Sequence, residues 1–284
     1  MTLDLPLVAG SFLVAIIVGL TGMGGGALMT PMMMLFFNVP PLAAVSSDLV
    51  AAAVMKPVGS LVHLRQGTVN LRLVGWLCVG SVPAAFGGVL LLRALGDVQD
   101  FVKYALGVAL LIAVGGLAAK LLIDRRAGRE DAPIDVRPIP TLLIGMVGGL
   151  IVGMTSVGSG SLIIVMLLVL YPSIRSNQLV GSDLLQAVPL VMSAALGHIL
   201  FGDFKLDLTV SLLIGSIPGV YLGARVSSRA PGHIIRPILC VVLLASALKL
   251  LGVGNIAMLW IVAAASIAAA IGWSAVRTRV STPG

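Results

Sequence analysis

The sequence predicts an all-α polytopic membrane protein. Two inverted-topology repeats, each with Gly-broken short helices, are followed by one extra C-terminal transmembrane helix. Three observations predict this. Of 284 residues, 58% are hydrophobic and only 10% are charged, with a mean hydropathy of +1.12. A soluble domain is about a quarter charged. A Gly-rich interruption of an apolar stretch occurs twice, as Gly19-Leu20-Thr21-Gly22-Met23-Gly24-Gly25-Gly26 and as Gly153-Met154-Thr155-Ser156-Val157-Gly158-Ser159-Gly160. The two halves also align at polar positions that generic hydrophobicity does not reproduce.

The elements follow in order. Apolar segments run over residues 5–21, 27–38, 42–64, 73–93 and 100–123. The polar stretch Asp124–Arg137 interrupts them, and the pattern restarts at 139–155, 160–171, 177–200, 206–225 and 234–251. A last segment, 255–276, closes the chain. The predicted units are therefore a first transmembrane repeat (1–123), a polar cytoplasmic linker (124–138), a second repeat (139–251) and a C-terminal helix with its tail (252–284). Met1–Pro6 holds no Lys or Arg, so it lacks the basic start of a secretory signal, and the first segment is expected to remain. Segments 27–38 and 160–171 are shorter than the ~20 residues of an ordinary span. Each is either half of a hairpin turning at the glycines or a short crossing.

The halves align at an offset of 134 to 135 residues. Gly24 and Gly26 fall on Gly158 and Gly160, Ser47-Asp48-Leu49 on Ser182-Asp183-Leu184, and His63 on His198. Gly67 falls on Gly202, and Gly80-Ser81-Val82-Pro83 on Gly215-Ser216-Ile217-Pro218. These matches are read as a duplication. Lys and Arg, which favour the cytoplasmic side, set the orientation. With the loop at 65–72 inside, the loops 120–137 and 225–237 and the C-terminus also lie inside, and the N-terminus lies outside. Most of the 18 Lys and Arg are then cytoplasmic, leaving Arg93, Lys103, Lys205 and Lys249 outside. That arrangement needs an odd number of crossings per half, which inverts one half relative to the other. Inverted repeats are common among secondary transporters.

The Gly-rich breaks are the first candidate site. Unwound backbone at membrane depth leaves N–H and C=O groups that lipid cannot satisfy, so it survives packed in protein or lining a polar cavity. Two equivalent breaks point to a substrate site between the halves. Residues 24–27 and 158–161 are expected to begin the second half-helices, whose N-termini favour an anion. The predicted substrate contacts are Thr21, Gly22, Gly24, Gly25 and Gly26 in the first break and Thr155, Ser156, Gly158, Ser159 and Gly160 in the second, with Ser161 as a further donor. Glycine serving tight helix packing alone is the alternative.

Lys56 lies about midway along 42–64, where a charge is costly and usually functional. It shares a helix face with His63 and suits an anion. Pairing with Asp48 or snorkelling to an interface are its structural alternatives. Asp48 and Asp183 read first as helix caps and otherwise as a Lys56 counter-ion or a proton relay. His63 and His198, near segment ends, read as structural or interfacial before proton transfer. Gln186 faces either a cavity or a neighbouring helix. Gly215, Gly219 and Gly223 recur every fourth residue as a packing seam, with 80–88 as counterpart.

Several classes are excluded. The net charge of +7 comes from inter-segment basic residues, and no soluble domain is large enough for a nucleic-acid-binding face. Cys78 and Cys240 lie inside apolar segments, outside any disulfide or metal spacing, and read as small buried hydrophobes. No metal or other cofactor is called for. The expected partners are a small anion and the lipid bilayer. An intramembrane protease is disfavoured, because the chain has Gly158-Ser159-Gly160-Ser161 where serine types carry Gly-x-Ser-Gly, and the aspartyl Gly-x-Gly-Asp is missing. A non-transporting membrane partner leaves Lys56 and the duplicated breaks without a purpose.

The Gly22-Met23-Gly24-Gly25-Gly26 run with Pro31, and Ser156-Val157-Gly158-Ser159-Gly160 in the second half, resemble the sulfite exporter TauE/SafE family of anion permeases. Val180-Gly181-Ser182-Asp183-Leu184, Pro218-Gly219 with Gly223, and Leu61–Val69 carry the same resemblance, over residues 8 to 252. The chain departs from the common pattern at Ser46-Ser47-Asp48, where a Gly-Thr or Thr-Ser pair is more usual. The resemblance implies a multi-pass permease of the bacterial inner membrane for sulfite, thiosulfate or small organosulfonates such as sulfoacetate, with the Gly-rich turns of both halves flanking the substrate. Export agrees with an inside-negative potential, which drives an anion outward by about 2.3 kcal/mol per charge per 100 mV. Uptake needs coupling, for which Asp48, Asp183 and the histidines are the candidates.

Overall fold

A computed structural model describes residues 3–21, 25–65, 67, 69–123, 135–174, 176–227 and 232–280. Every regular element among them is an α-helix. The first half holds α1 (Leu5–Thr21), α2 (Gly26–Phe36), α3 (Pro41–Arg65), α4 (Leu71–Leu95) and α5 (Gln99–Ile123). The second holds α6 (Pro138–Thr155), α7 (Leu162–Leu170), α8 (Ser176–Phe201), α9 (Leu206–Ser227) and α10 (Gly232–Leu250), and α11 (Asn255–Val280) follows. Helix starts follow local chemistry. Pro138 opens α6, where its missing N–H costs nothing, and the Asn70 side chain caps α4 by accepting from the Leu73 N–H at 3.1 Å.

Among the described residues, five stretches are long and apolar enough to cross a bilayer: Leu71–Leu95, Gln99–Ala118, Pro138–Thr155, Gln178–Phe201 and Leu206–Gly223. α3 has the length, 25 residues, but carries Asp48 and Lys56 in its interior. Large apolar side chains such as Leu13, Val79, Val108, Leu143, Leu196 and Ile217 are exposed on helix flanks. In a membrane these flanks face lipid, while the core lies where the two halves meet.

Both short helices are arms of hairpins. The Tyr171 hydroxyl at the end of α7 accepts from the Arg137 N–H (2.8 Å) and lies 2.6 Å from the Thr141 hydroxyl, at the start of α6. α7 therefore runs back along α6. In the first half, a Cβ built on Gly10 of α1 would lie 3.1 Å from Met32 Sδ and 3.2 Å from the Phe37 ring, so α2 runs back along α1. Each pair returns toward the side from which it starts, which decides for hairpins over short crossings.

The halves interlock through glycine. α1 packs on α9, and α4 on α6. On α9, Gly215, Gly219 and Gly223 press against the carbonyls of Val8, Phe12 and Ile16, so the expected seam is there. Its counterpart pairs Gly80 of α4 with Leu142, and Gly145, Gly149 and Gly153 of α6 with Leu77, Ser81 and Ala85. Lipid offers no hydrophobic drive between helices, so close backbone approach supplies the contact. Gly149→Val would drive its side chain into the Ser81 carbonyl, an overpacking of about 1–3 kcal/mol or more. We expect a lower melting temperature for purified protein in detergent, and an unchanged one would remove this seam from the stability argument.

α3 and α8 pack antiparallel at the centre. Ser46, early in α3, meets His198, late in α8, with Oγ and Nδ1 2.8 Å apart. At the opposite end the Asn70 N–H donates to Ser182 Oγ at 2.9 Å.

Candidate substrate site

The second break spans 156–161. Ser156 ends α6 in the left-handed region (φ 61°), its N–H donating to the Val152 carbonyl at 2.8 Å. Gly158 and Gly160 also take positive φ (130° and 96°), which side chains resist. The loose backbone is satisfied within protein. The Gly158 carbonyl accepts from the Ser161 and Ile163 N–H groups, and the Thr155 hydroxyl joins the Ile151 carbonyl (2.7 Å) to the Val157 N–H (3.2 Å). Ser156, Ser159 and Ser161 are 6–7% exposed, so this break is packed rather than open. α7 begins only at Leu162, later than the glycine pattern suggests.

The first break comes directly against it. Gly22 and Gly24 lie outside the described residues, as do the side chains of Thr21 and His63. Gly25 and Gly26 are described and buried. A Cβ on Gly26 would collide with the Ser156 carbonyl oxygen, so the start of α2 lies against the backbone at the end of α6.

α3 fastens the second break at two points. The Lys56 ammonium donates to Ser159 Oγ, from a half-buried side chain. Two turns earlier the fully buried Asp48 accepts at Oδ2 from the Thr30 hydroxyl of α2 (2.8 Å) and the Ser156 hydroxyl (2.7 Å). Asp48 Oδ1 has no hydrogen-bond partner, and neither has the buried hydroxyl of Ser47. Asp183 and Asp48 are the carboxyl groups near enough to act on Lys56 electrostatically. The site thus gathers hydroxyls from both halves, one ammonium and two carboxylates.

This corrects several expectations. Neither aspartate caps a helix. α3 starts at Pro41 and α8 at Ser176, so Asp48 and Asp183 lie two turns inside. Asp183 Oδ1 accepts from Gln186 Nε2 at 3.2 Å, and Gln186 Oε1 accepts from the Ser81 hydroxyl of α4 at 3.3 Å, so Gln186 serves helix packing. Lys56 neither snorkels nor hydrogen-bonds Asp48; its partner is Ser159. Thr155, Ser156 and Ser159, expected as free donors, are engaged within the protein in this conformation. His198 is fully buried, which favours the structural alternative over the interfacial one. Its Nε2 lies 2.8 Å from the Gly153 carbonyl and therefore carries a proton, while Nδ1 meets Ser46. The imidazole so ties α8 to α3 and to α6 just before its break. Cys78 and Cys240 are free and half-buried.

Thr30 escaped the sequence reading. Its signal was a lone hydroxyl in the apolar run of α2, one turn past Gly26. Among the described residues no three His, Cys, Asp or Glu side chains gather to hold a metal ion.

Comparisons with known proteins agree with this arrangement. The sequence model of the sulfite exporter TauE/SafE family matches residues 7–250. The chain is 38% identical over 245 residues to the "Probable membrane transporter protein YjnA" of Bacillus subtilis (strain 168), covering 84% of this chain and 96% of that one. It is 27% identical over 232 residues to YdhB of the same organism, also named a probable membrane transporter protein, covering 79% and 91%. No solved structure matches the chain. The family match runs from α1 to the end of α10 and so takes in both hairpins and both breaks: the chain belongs to the sulfite exporter TauE/SafE family and is a multi-pass membrane transporter.

Proposed function

We propose that the protein exports a small sulfur-containing anion, such as sulfite, thiosulfate or an organosulfonate, across the bacterial inner membrane. The anion binds where the two Gly-rich breaks meet. The observation that carries this reading is the Lys56 ammonium held against Ser159 of the second break, deep in a helix that also anchors that break through Asp48. A cation at membrane depth beside hydroxyls and loosened backbone is a natural anion receptor.

The halves act as inverted repeats in alternating access. The reciprocal pairing of α1 with α9 and α4 with α6, and the antiparallel α3 and α8, support that symmetry. The Lys and Arg distribution supports an N-terminus outside and a C-terminus in the cytoplasm. Burial of Ser156 and Ser159 suits a closed stage of the cycle, in which Asp48 and Lys56 occupy the hydroxyls that later serve the anion. Opening toward either face exchanges these internal bonds for bonds to substrate.

Thermal melting of the purified protein tests this against sulfite, thiosulfate, sulfoacetate, sulfate and simple carboxylates. A ligand preferring the native state stabilises it by about 2.7 kcal/mol at a hundredfold excess over Kd, and so raises the melting temperature with concentration. We expect sulfur oxyanions or sulfonates to stabilise and carboxylates to do so less. A flat response to every sulfur anion removes this substrate class.

A further inference from the structure

The two carboxylate oxygens of Asp48 are unequal. Oδ2 accepts two hydroxyl hydrogen bonds, whereas Oδ1 is buried and has none. An ionised carboxylate shares its charge over both oxygens, so a naked buried Oδ1 is costly. A neutral acid fits the asymmetry. Its carbonyl oxygen is the Oδ2 that takes both donors, and its hydroxyl is Oδ1.

The surrounding charges make that proton relevant to an anion. Lys56, two turns along α3, is the charged group whose field reaches Asp48. From α8 the titratable groups are Asp183, whose charge acts on Lys56, and His198, held by Ser46 and Gly153. α2, α7 and the break between Ser156 and Ser161 contribute no titratable side chain. α5 carries Asp100, Lys103 and Tyr104 in its first turns, and Lys120 near its other end. α9 carries Asp207, Tyr221 and Arg225, all exposed. With both aspartates ionised, the single Lys56 charge is outweighed and an anion meets a negative site. Neutralising Asp48 leaves Lys56 balanced by Asp183, and the anion no longer opposes a net like charge. The carboxylate also holds Ser156 and Thr30, which are donors an anion would use.

We propose that Asp48 is a proton-binding site, loaded at Oδ1, and that its proton is taken up together with the anion. This rests on the anion-transport reading above. The proton comes from water and returns to water, so the step is a transfer to and from Asp48 with no other bond changed. A monovalent anion then crosses as a neutral pair with the proton, so its own concentration gradient and not the membrane potential must drive it outward. A divalent one carries a single net negative charge.

The test measures apparent Kd values for thiosulfate and methanesulfonate, by dose-dependent thermal stabilisation, between about pH 6 and about pH 9, where the charge of both probes is constant. For the wild type, Kd should weaken about tenfold per pH unit once Asp48 ionises, the linkage of one proton to one anion. Asp48→Asn, fixed in a neutral state, should lose the slope whatever its absolute Kd. In weakly buffered wild-type protein, anion binding should take up about one proton, a readout that needs no variant. A pH-independent wild-type Kd, the same slope in Asp48→Asn, or binding without proton uptake overturns the proposal while leaving anion transport standing. If neither probe stabilises the wild type at any pH, this proposal falls too, and the full anion panel then decides whether the transport reading falls with it.

Discussion

Lys56→Ala is expected to abolish saturable anion transport in proteoliposomes while leaving the protein folded. The side chain donates to Ser159 of the second break and supplies the positive charge at that place. Truncating one partner of a buried charge pair costs about 2–5 kcal/mol. Against a bound anion this is roughly thirtyfold or more in kcat/KM. Folding should survive, because a Lys at membrane depth is itself a cost of about 2.5–3.5 kcal/mol on insertion scales. Lys56→Arg keeps the charge but replaces a compact ammonium by a planar fork, and should retain reduced, measurable flux. Wild-type kinetics in Lys56→Ala, with size exclusion and melting unchanged, would remove Lys56 from the mechanism.

Gly26→Ala should be nearly as damaging, by a different route. The added methyl meets the Ser156 carbonyl oxygen, which belongs to backbone and has no rotamer to turn away. Either α2 withdraws from the end of α6, or Ser156 leaves its left-handed conformation and loses Asp48. Overpacking of this kind costs about 1–3 kcal/mol, occasionally more. We expect a lower melting temperature and at least tenfold slower transport in proteoliposomes. Gly25→Ala is the control. There the nearest atom to an added methyl is the flexible end of Met55, at 3.7 Å, so transport should change far less. Equal behaviour of the two variants would show that contact between the breaks is unimportant.

Much of the architecture is legible in the sequence. Every predicted apolar segment became a helix, with ends within a few residues, because hydropathy and glycine or proline punctuation act locally. The glycine seam on α9 and its counterpart were readable for the same reason, since small residues at helical spacing have few other uses in lipid. The midpoint Lys56 announced itself by its cost. The aspartates were harder. Asp48 looked like a cap because it follows two serines, yet Pro41 starts α3 earlier and carries Asp48 inside. Thr30 drew no notice, since nothing in the run Gly26–Phe36 tells that one hydroxyl faces a carboxylate on the next helix.

The amino-acid order alone determined that this chain lives in a membrane, where its apolar helices begin and end, and that a glycine-rich stretch stands before each short helix. Those features depend on neighbours in sequence. Only the tertiary structure decided that the short helices double back, that the breaks touch, and that Ser156 belongs to Asp48, Ser159 to Lys56 and Ser46 to His198. These partners lie more than a hundred residues apart. In lipid a polar group must find a partner inside the protein, and which partner it finds depends on how whole helices come together.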